Sequence, residues 1–233
     1  MMKVRSPHTA VLVHGAWADG SCWSNVILPL QKVGLNVIAA PLPLTSLSDD
    51  RDALQRVLDR TTGTVTLVGH AYAGAVIGSA SSERVTSLVF IAALAPAEGE
   101  AVADMFYRAS PHPQAPHLHP DTHGFIWMPE EGFRSAVAHE ASTDQLAIMS
   151  TVQRPISVQC IEEQVQLQRW STTSSWYLIA EKDRMIVPET QHFMADRMSA
   201  TIRNHNVDHS PMYTAPELLV DLILEAAREH TTK

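Results

Sequence analysis

Leu67-Val68-Gly69-His70-Ala71-Tyr72-Ala73-Gly74 decides how this chain is read. An apolar run over 64–68 leads straight into it, and a helical pattern leaves it from Tyr72. A strand, a one-residue apex and a helix form a sharp elbow that presents the apex side chain at the strand's end. The turn is tight and strained, so small residues must flank the apex. Gly69 meets that need fully, Ala73 does so with one extra methyl, and Gly74 lets the helix approach the sheet. The apex is Ala71, where a nucleophilic serine is expected. An ordinary strand-to-helix turn is the bland alternative.

Outward from the elbow, apolar runs at 10–13, 36–40, 85–92, 176–180 and 201–207 join 64–68 as predicted strands. Helical patterns fall between them, at 23–33, 48–60, 72–81, 189–198 and 216–230. Thr214-Ala215-Pro216-Glu217 offers the last helix a capping box. Strands alternating with helices predict an α/β fold with a parallel sheet covered on both faces. The alternation breaks between Pro96 and Trp170, a stretch too long for a simple loop. It reads as a helical cap over 96–170, with helices at 132–139 and 143–151, inserted into a core made of 1–95 and 171–233. Trp17, Phe106, Tyr107, Phe125, Trp127 and Met212 are the expected pocket lining. The bland reading of the cap aromatics, which include Phe133 and Trp170, is that they pack the cap onto the sheet.

The chain has 233 residues, 45% of them apolar and 18% charged, with a net charge of −8. That is globular composition. No basic stripe favours nucleic acid or an anionic membrane as a partner. Cys22 and Cys160 lie far apart and form no CxxC pair, which fits a reducing compartment. The start Met1-Met2-Lys3-Val4-Arg5-Ser6-Pro7 reads neither as a signal peptide nor as a membrane span, so a cytoplasmic location is expected. Oligomeric state has no diagnostic patch; a homodimer through the cap or last helix is compatible with the sequence.

The first strand ends in His14-Gly15-Ala16-Trp17. The amides of Ala16 or Trp17, together with that of Tyr72, are the expected donors of an oxyanion hole. Backbone donors survive loss of the serine. His14 is read as an anchor for its loop, and His70 as pointing away from the cleft. His209, after the last strand, is the expected base. Asp183, between a strand and a helix, would accept its Nδ1 proton, in the chain order elbow, acid, histidine. Asp208 and Glu181 are the rival acids, and Ser21 and Cys22 the rival nucleophiles. His117, His119, Asp121 and His123 invite a metal, but prolines extend the segment and the two-residue spacings match no familiar closed site. Neither metal nor cofactor is expected.

These pieces together resemble the capped α/β-hydrolases that include plant salicylate methylesterases, hydroxynitrile lyases and methylketone synthases. The matching residues are His14 to Trp17, Trp23, 41–47 (PLPLTSL), Val68 to Gly74, Asp183 with Pro188, and Asp208 to Met212. They span the sheet from first strand to last helix; the cap is poorly matched. The resemblance implies an α/β-hydrolase fold with a helical cap, Ala71 at the nucleophile position, Asp183 as acid and His209 as base. Methylketone synthases resemble this chain in carrying alanine there, and they decarboxylate 3-keto acids. A replaced serine is the other origin of Ala71. The expectation is therefore an enzyme acting on a small ester, lactone or related carbonyl compound through a His–Asp dyad. A lyase or decarboxylase using the same dyad and a non-catalytic binding protein are the alternatives.

Overall fold

The computed structural model describes residues 7–228. The reading of the N-terminal start, apart from Pro7, and the end of the last predicted helix (229–230) lie outside them. Among the described residues eight strands occur: β1 (His8–Val13), β2 (Asn36–Ala40), β3 (Thr64–His70), β4 (Val85–Ile91), β5 (Phe125–Ile126), β6 (Ile156–Ser157), β7 (Ser174–Ala180) and β8 (Thr201–His205). Six of them build one sheet in the order β2-β1-β3-β4-β7-β8. Every neighbouring pair in it is parallel.

Side chains alternate across a strand, so each buried strand feeds both faces. Val11, Val13 and Leu67 pack with Leu54, Leu58 and Ile77 on one face. Ala10, Leu12 and Val68 pack with Val26, Leu30, Leu219 and Ile223 on the other. Each fully buried Leu or Val contributes roughly 1.5–3 kcal/mol. The helix after β1, Ser24–Lys32, supplies Val26 and Leu30 to one face. The helix after β3, Ala73–Gly78, supplies Val76 and Ile77 to the opposite one. Adjacent strands whose connections leave on opposite faces open a crevice at their carboxyl ends. The loop after β1 and the elbow after β3 both end there.

Several boundaries move. β3 runs on to His70, and the elbow helix stops at Gly78. The first helix starts at Ser24, after a 3-10 turn Gly20–Trp23 in which Asp19 accepts the Ser21 amide at 2.8 Å. The capping box shifts. Thr214 closes a short helix, Pro211–Thr214, and its hydroxyl reaches Asp208 Oδ1 at 3.4 Å, so the last helix begins at Pro216.

The insertion between β4 and β7 holds helices at Val102–Phe106, Glu130–Gly132, Thr143–Val152 and Val158–Glu162. It also holds a π-helical turn, Phe133–Val137, and the antiparallel pair β5–β6. The Ser157 amide donates to the Leu44 carbonyl, and Trp17 Nε1 donates to the Ile126 carbonyl, both at 3.0 Å. These bonds tie the insertion to the core over the crevice. Among the described residues no helix is long and apolar enough to cross a membrane.

Candidate active site

Ala71 sits at the apex with φ of 51°, in the left-handed region. That conformation costs a non-glycine residue about 1–2 kcal/mol. Its surroundings hold it there. The Ala71 amide donates to Ile91 O at 3.2 Å, and its carbonyl accepts from Leu94 N at 2.9 Å and Gly74 N at 3.1 Å. A Cβ on Gly69 would lie 2.8 Å from the Ala73 carbonyl oxygen, and one on Gly74 would lie 2.9 Å from Ala93 Cβ. Gly15 brings the loop after β1 against the apex, since a Cβ there would stand 3.1 Å from Ala71 Cβ. Trp17, two residues on, is also left-handed, with φ of 57°.

His209 follows β8 and Asp183 follows β7. Their loops bring His209 Nδ1 to 2.7 Å from Asp183 Oδ2. Asp183 also accepts from the amides of Met185 (2.7 Å) and Ile186 (2.9 Å) and from Gln191 Nε2 (2.8 Å). A carboxylate only accepts, so the ring carries its proton on Nδ1 and leaves an Nε2 lone pair free. Both side chains are buried. The rival acids are engaged elsewhere. Asp208 accepts from the Glu140 and Ser210 amides, and Glu181 pairs with His192 at 3.2 Å.

The structure corrects the reading of His70. Its Nε2 donates to the His209 carbonyl at 2.7 Å, and the two rings lie 4.7 Å apart. It braces the His209 loop instead of turning away from the cleft. Burial, and then the neighbouring His209, push its pKa down to about 3, so the ring is neutral. His14 lies wholly inside, where Nδ1 donates to Gly15 O and Nε2 accepts from Leu42 N. Burial lowers its pKa as well. Of the rival nucleophiles, Cys22 is buried, which pushes its thiol well above the usual range. The Ser21 hydroxyl is bound to Asp19 Oδ1 at 2.5 Å.

Ala16, Trp17, Ala71, Tyr72 and His209 line one cavity under the insertion. Its other walls are Leu94, Val102, Phe106, Tyr107, Leu118, Ile126, Ile156, Ile161, Met185 and Ile186. Met212 lines a neighbouring cavity. Phe125 and Trp127 do not belong to the lining. Phe125 pairs with Ser157 in the β5–β6 ladder, and Trp127 is half exposed with its Nε1 on Asp121. Aliphatic residues that the sequence reading did not single out, Leu118, Ile156 and Ile161 among them, take their place. In the histidine-rich loop, Asp121 accepts from the His123 and Phe125 amides, closing its own turn. Among the described residues no group of three or more His, Cys, Asp or Glu side chains is placed to hold a metal.

Asp50 escaped the sequence reading. It is fully buried on the helix Leu47–Asp59, where Oδ2 accepts the Tyr72 hydroxyl at 2.7 Å and Oδ1 accepts the Leu44 amide at 2.8 Å. Cys160 of the insertion lies 3.7 Å from Oδ2. Burial raises this carboxyl to about 6 against the lowering hydrogen bonds. The signal was available: Asp50 interrupts the apolar stripe Leu47, Leu54, Val57 and Leu58.

The chain is similar in sequence to curated proteins and in fold to solved structures. The chain is 25% identical to the putative chloroplastic methylesterase 11 of Arabidopsis thaliana, over 94% of this chain and 63% of that one. It thus spans just under two thirds of that relative's length. Among solved structures, a pyrethroid hydrolase from Sphingobium faniae JZ-2 superposes with a TM-score of 0.83 at 19% identity, covering 95% of this chain and 97% of that one. A variant of tomato methylketone synthase I in complex with beta-ketoheptanoate gives 0.83 at 19% identity, covering 96% and 99%. The model of the alpha/beta hydrolase family matches residues 10–222, nearly the whole sheet and insertion, and this chain belongs to that family.

Proposed function

We propose that this protein hydrolyses a small ester, lactone or related carbonyl compound, with His209 as general base and no covalent bond to Ala71. The observation that carries the reading is the 2.7 Å contact between His209 Nδ1 and Asp183 Oδ2, with the same ring lining a cavity beside the Ala71 methyl. Asp183 orients the imidazole, whose Nε2 takes a proton from water as it attacks the carbonyl. The place beside the Ala71 methyl where a serine would carry its hydroxyl is the position for that water. The amides of Ala16 or Trp17 and of Tyr72 stabilise the oxyanion. The methylesterase relatives support ester chemistry.

One observation favours a second reading. The cavity wall carries no Lys or Arg, and apolar side chains make up almost all of it. A carboxylate held there loses solvation, which favours its departure as carbon dioxide. A 3-keto acid, the ligand class bound by the methylketone synthase neighbour, is the substrate of that reading. The test is a panel of aryl esters, lactones and 3-keto acids with products identified by mass spectrometry, run beside His209→Ala. Turnover is expected to vanish in the variant while its melting temperature holds. Undiminished turnover in His209→Ala would overturn both readings.

A further inference from the structure

Tyr72 lines the cavity, and its amide is an oxyanion donor in the function proposed above, on which this inference rests. The neighbouring amides are engaged: Ala71 N donates to Ile91 O, Gly74 N to Ala71 O and Ala75 N to Tyr72 O. Among the described residues no backbone carbonyl accepts from the Tyr72 amide. The far end of the side chain is held instead. Its hydroxyl donates to Asp50 Oδ2 at 2.7 Å, and both side chains are buried. Two torsions separate that ring from the backbone, so a ring fixed at its hydroxyl leaves the amide little room to swing.

Asp50 is fixed in turn. Leu44, left-handed with φ of 60°, donates its amide to Oδ1 at 2.8 Å, and its carbonyl accepts from Ser157 N at 3.0 Å. Cys160 Sγ lies 3.7 Å from Oδ2. Ile156 and Ile161, next in sequence to Ser157 and Cys160, are cavity wall. One carboxyl group thus joins the elbow, the loop after β2 and the insertion. Stability alone does not call for it. Phe at 72 facing an apolar residue at 50 would fill the same space without burying an ionisable group.

We propose that Asp50 is a positioning residue of the oxyanion hole: through the Tyr72 hydroxyl it fixes the Tyr72 amide where the oxygen of the reacting carbonyl gathers charge. Asp50 does not line the cavity, so it meets the substrate only through Tyr72. Its effect falls on the transition state, and so on kcat instead of KM.

The test compares Tyr72→Phe, Asp50→Asn and the double variant at pH 8, where Asp50 is ionised. With its oxygen on Leu44 N, Asn turns toward the hydroxyl an amide nitrogen that cannot accept its proton. Removing an oxyanion donor costs about 10²–10³ in kcat, and a donor that stays but swings should cost about tenfold. KM should hold within about twofold. The double variant should be no slower than Tyr72→Phe, because Asp50 acts through that hydroxyl. Glu163→Ala cuts another tie between the same helix and the insertion, from Ser48 N to Glu163 Oε2 at 3.1 Å, and should leave kcat unchanged. A second readout needs no turnover. The infrared carbonyl stretch of bound, carbonyl-labelled acetophenone should lie below its position in hexane for wild type, and move back up in Tyr72→Phe and Asp50→Asn.

Wild-type kcat in either single variant, a change in KM alone, or multiplying losses in the double variant would overturn the proposal. So would an equal fall of kcat in Glu163→Ala, which would make Asp50 an anchor for the insertion only. Turnover that still vanishes in His209→Ala would then leave the proposed function standing. A wild-type protein with no turnover, whose carbonyl stretch nevertheless responds to both variants, would fail that function and keep the positioning role. A stretch that wild type does not lower, or that neither variant moves, would overturn it.

Discussion

Replacing Asp50 with Asn should change how stability depends on pH. Asp50 is fully buried and its carboxyl is raised from 3.8 to about 6 by burial, which outweighs the hydrogen bonds from Tyr72 and Leu44. The folded chain therefore binds this proton more tightly than the unfolded chain. Below pH of about 4 the group is neutral in both states and adds no penalty. Between about 4 and 6 the unfolded state ionises first, so stability falls as pH rises. Above about 6 both states are ionised and the penalty is constant. A rise of about two units at ~1.4 kcal/mol each makes the total about 3 kcal/mol. Asn cannot ionise, and its amide oxygen can still accept from Leu44. Urea unfolding of wild type and Asp50→Asn across that range should give a stability difference that shifts by about 3 kcal/mol in favour of the variant, then levels off. Groups such as His70 titrate in both proteins and cancel in the difference. A flat difference curve would refute the reasoning, because the hydrogen bonds would then fully offset burial.

Two further outcomes follow from the geometry of the elbow. Gly74→Ala drives a methyl into the Leu94 carbonyl and to 2.9 Å from Ala93 Cβ, an overpacking that costs about 1–3 kcal/mol; its melting temperature should drop by several degrees, and an unchanged melt would show that the helix can back away. His70 has its folded pKa lowered from 6.5 to about 3, so the stability it contributes is present above about pH 6.5 and is lost as pH falls toward 3. His70→Gln, which cannot protonate yet can still donate to the His209 carbonyl, should lose less stability on that acid side; a wild-type acid profile would contradict the assignment.

The sheet was legible because its signals are local. Five of the parallel strands show as short apolar runs, whereas the largely exposed edge strand β8 (Thr-Ile-Arg-Asn-His) does not and follows from the strand–helix alternation; all six were found within a few residues. The elbow was legible because its steric demands leave glycine at 69 and 74. The loops carrying Asp183 and His209 could be placed because each follows a strand and precedes a helix. The insertion was less legible. Its two-residue strands and π-helical turn are set by packing against the core, and no periodicity announces them. Aromatic content was a poor guide to the cavity, since Trp127 faces outward while Ile156 and Ile161 face in. His70 was misread because its partner is the backbone carbonyl of a residue 139 positions away. Thr214 matched a capping motif, but Asp208 competes for its hydroxyl.

The central claim is that His209 drives carbonyl chemistry without a nucleophile at position 71. Turnover and intact-protein mass should be measured together for wild type and Ala71→Ser, on the same aryl ester, lactone and 3-keto acid panel. The account predicts turnover by wild type with no mass adduct, and a transient acyl adduct only in the serine variant. A wild-type protein inert toward the whole panel, beside a serine variant that turns over esters through the adduct, would contradict it.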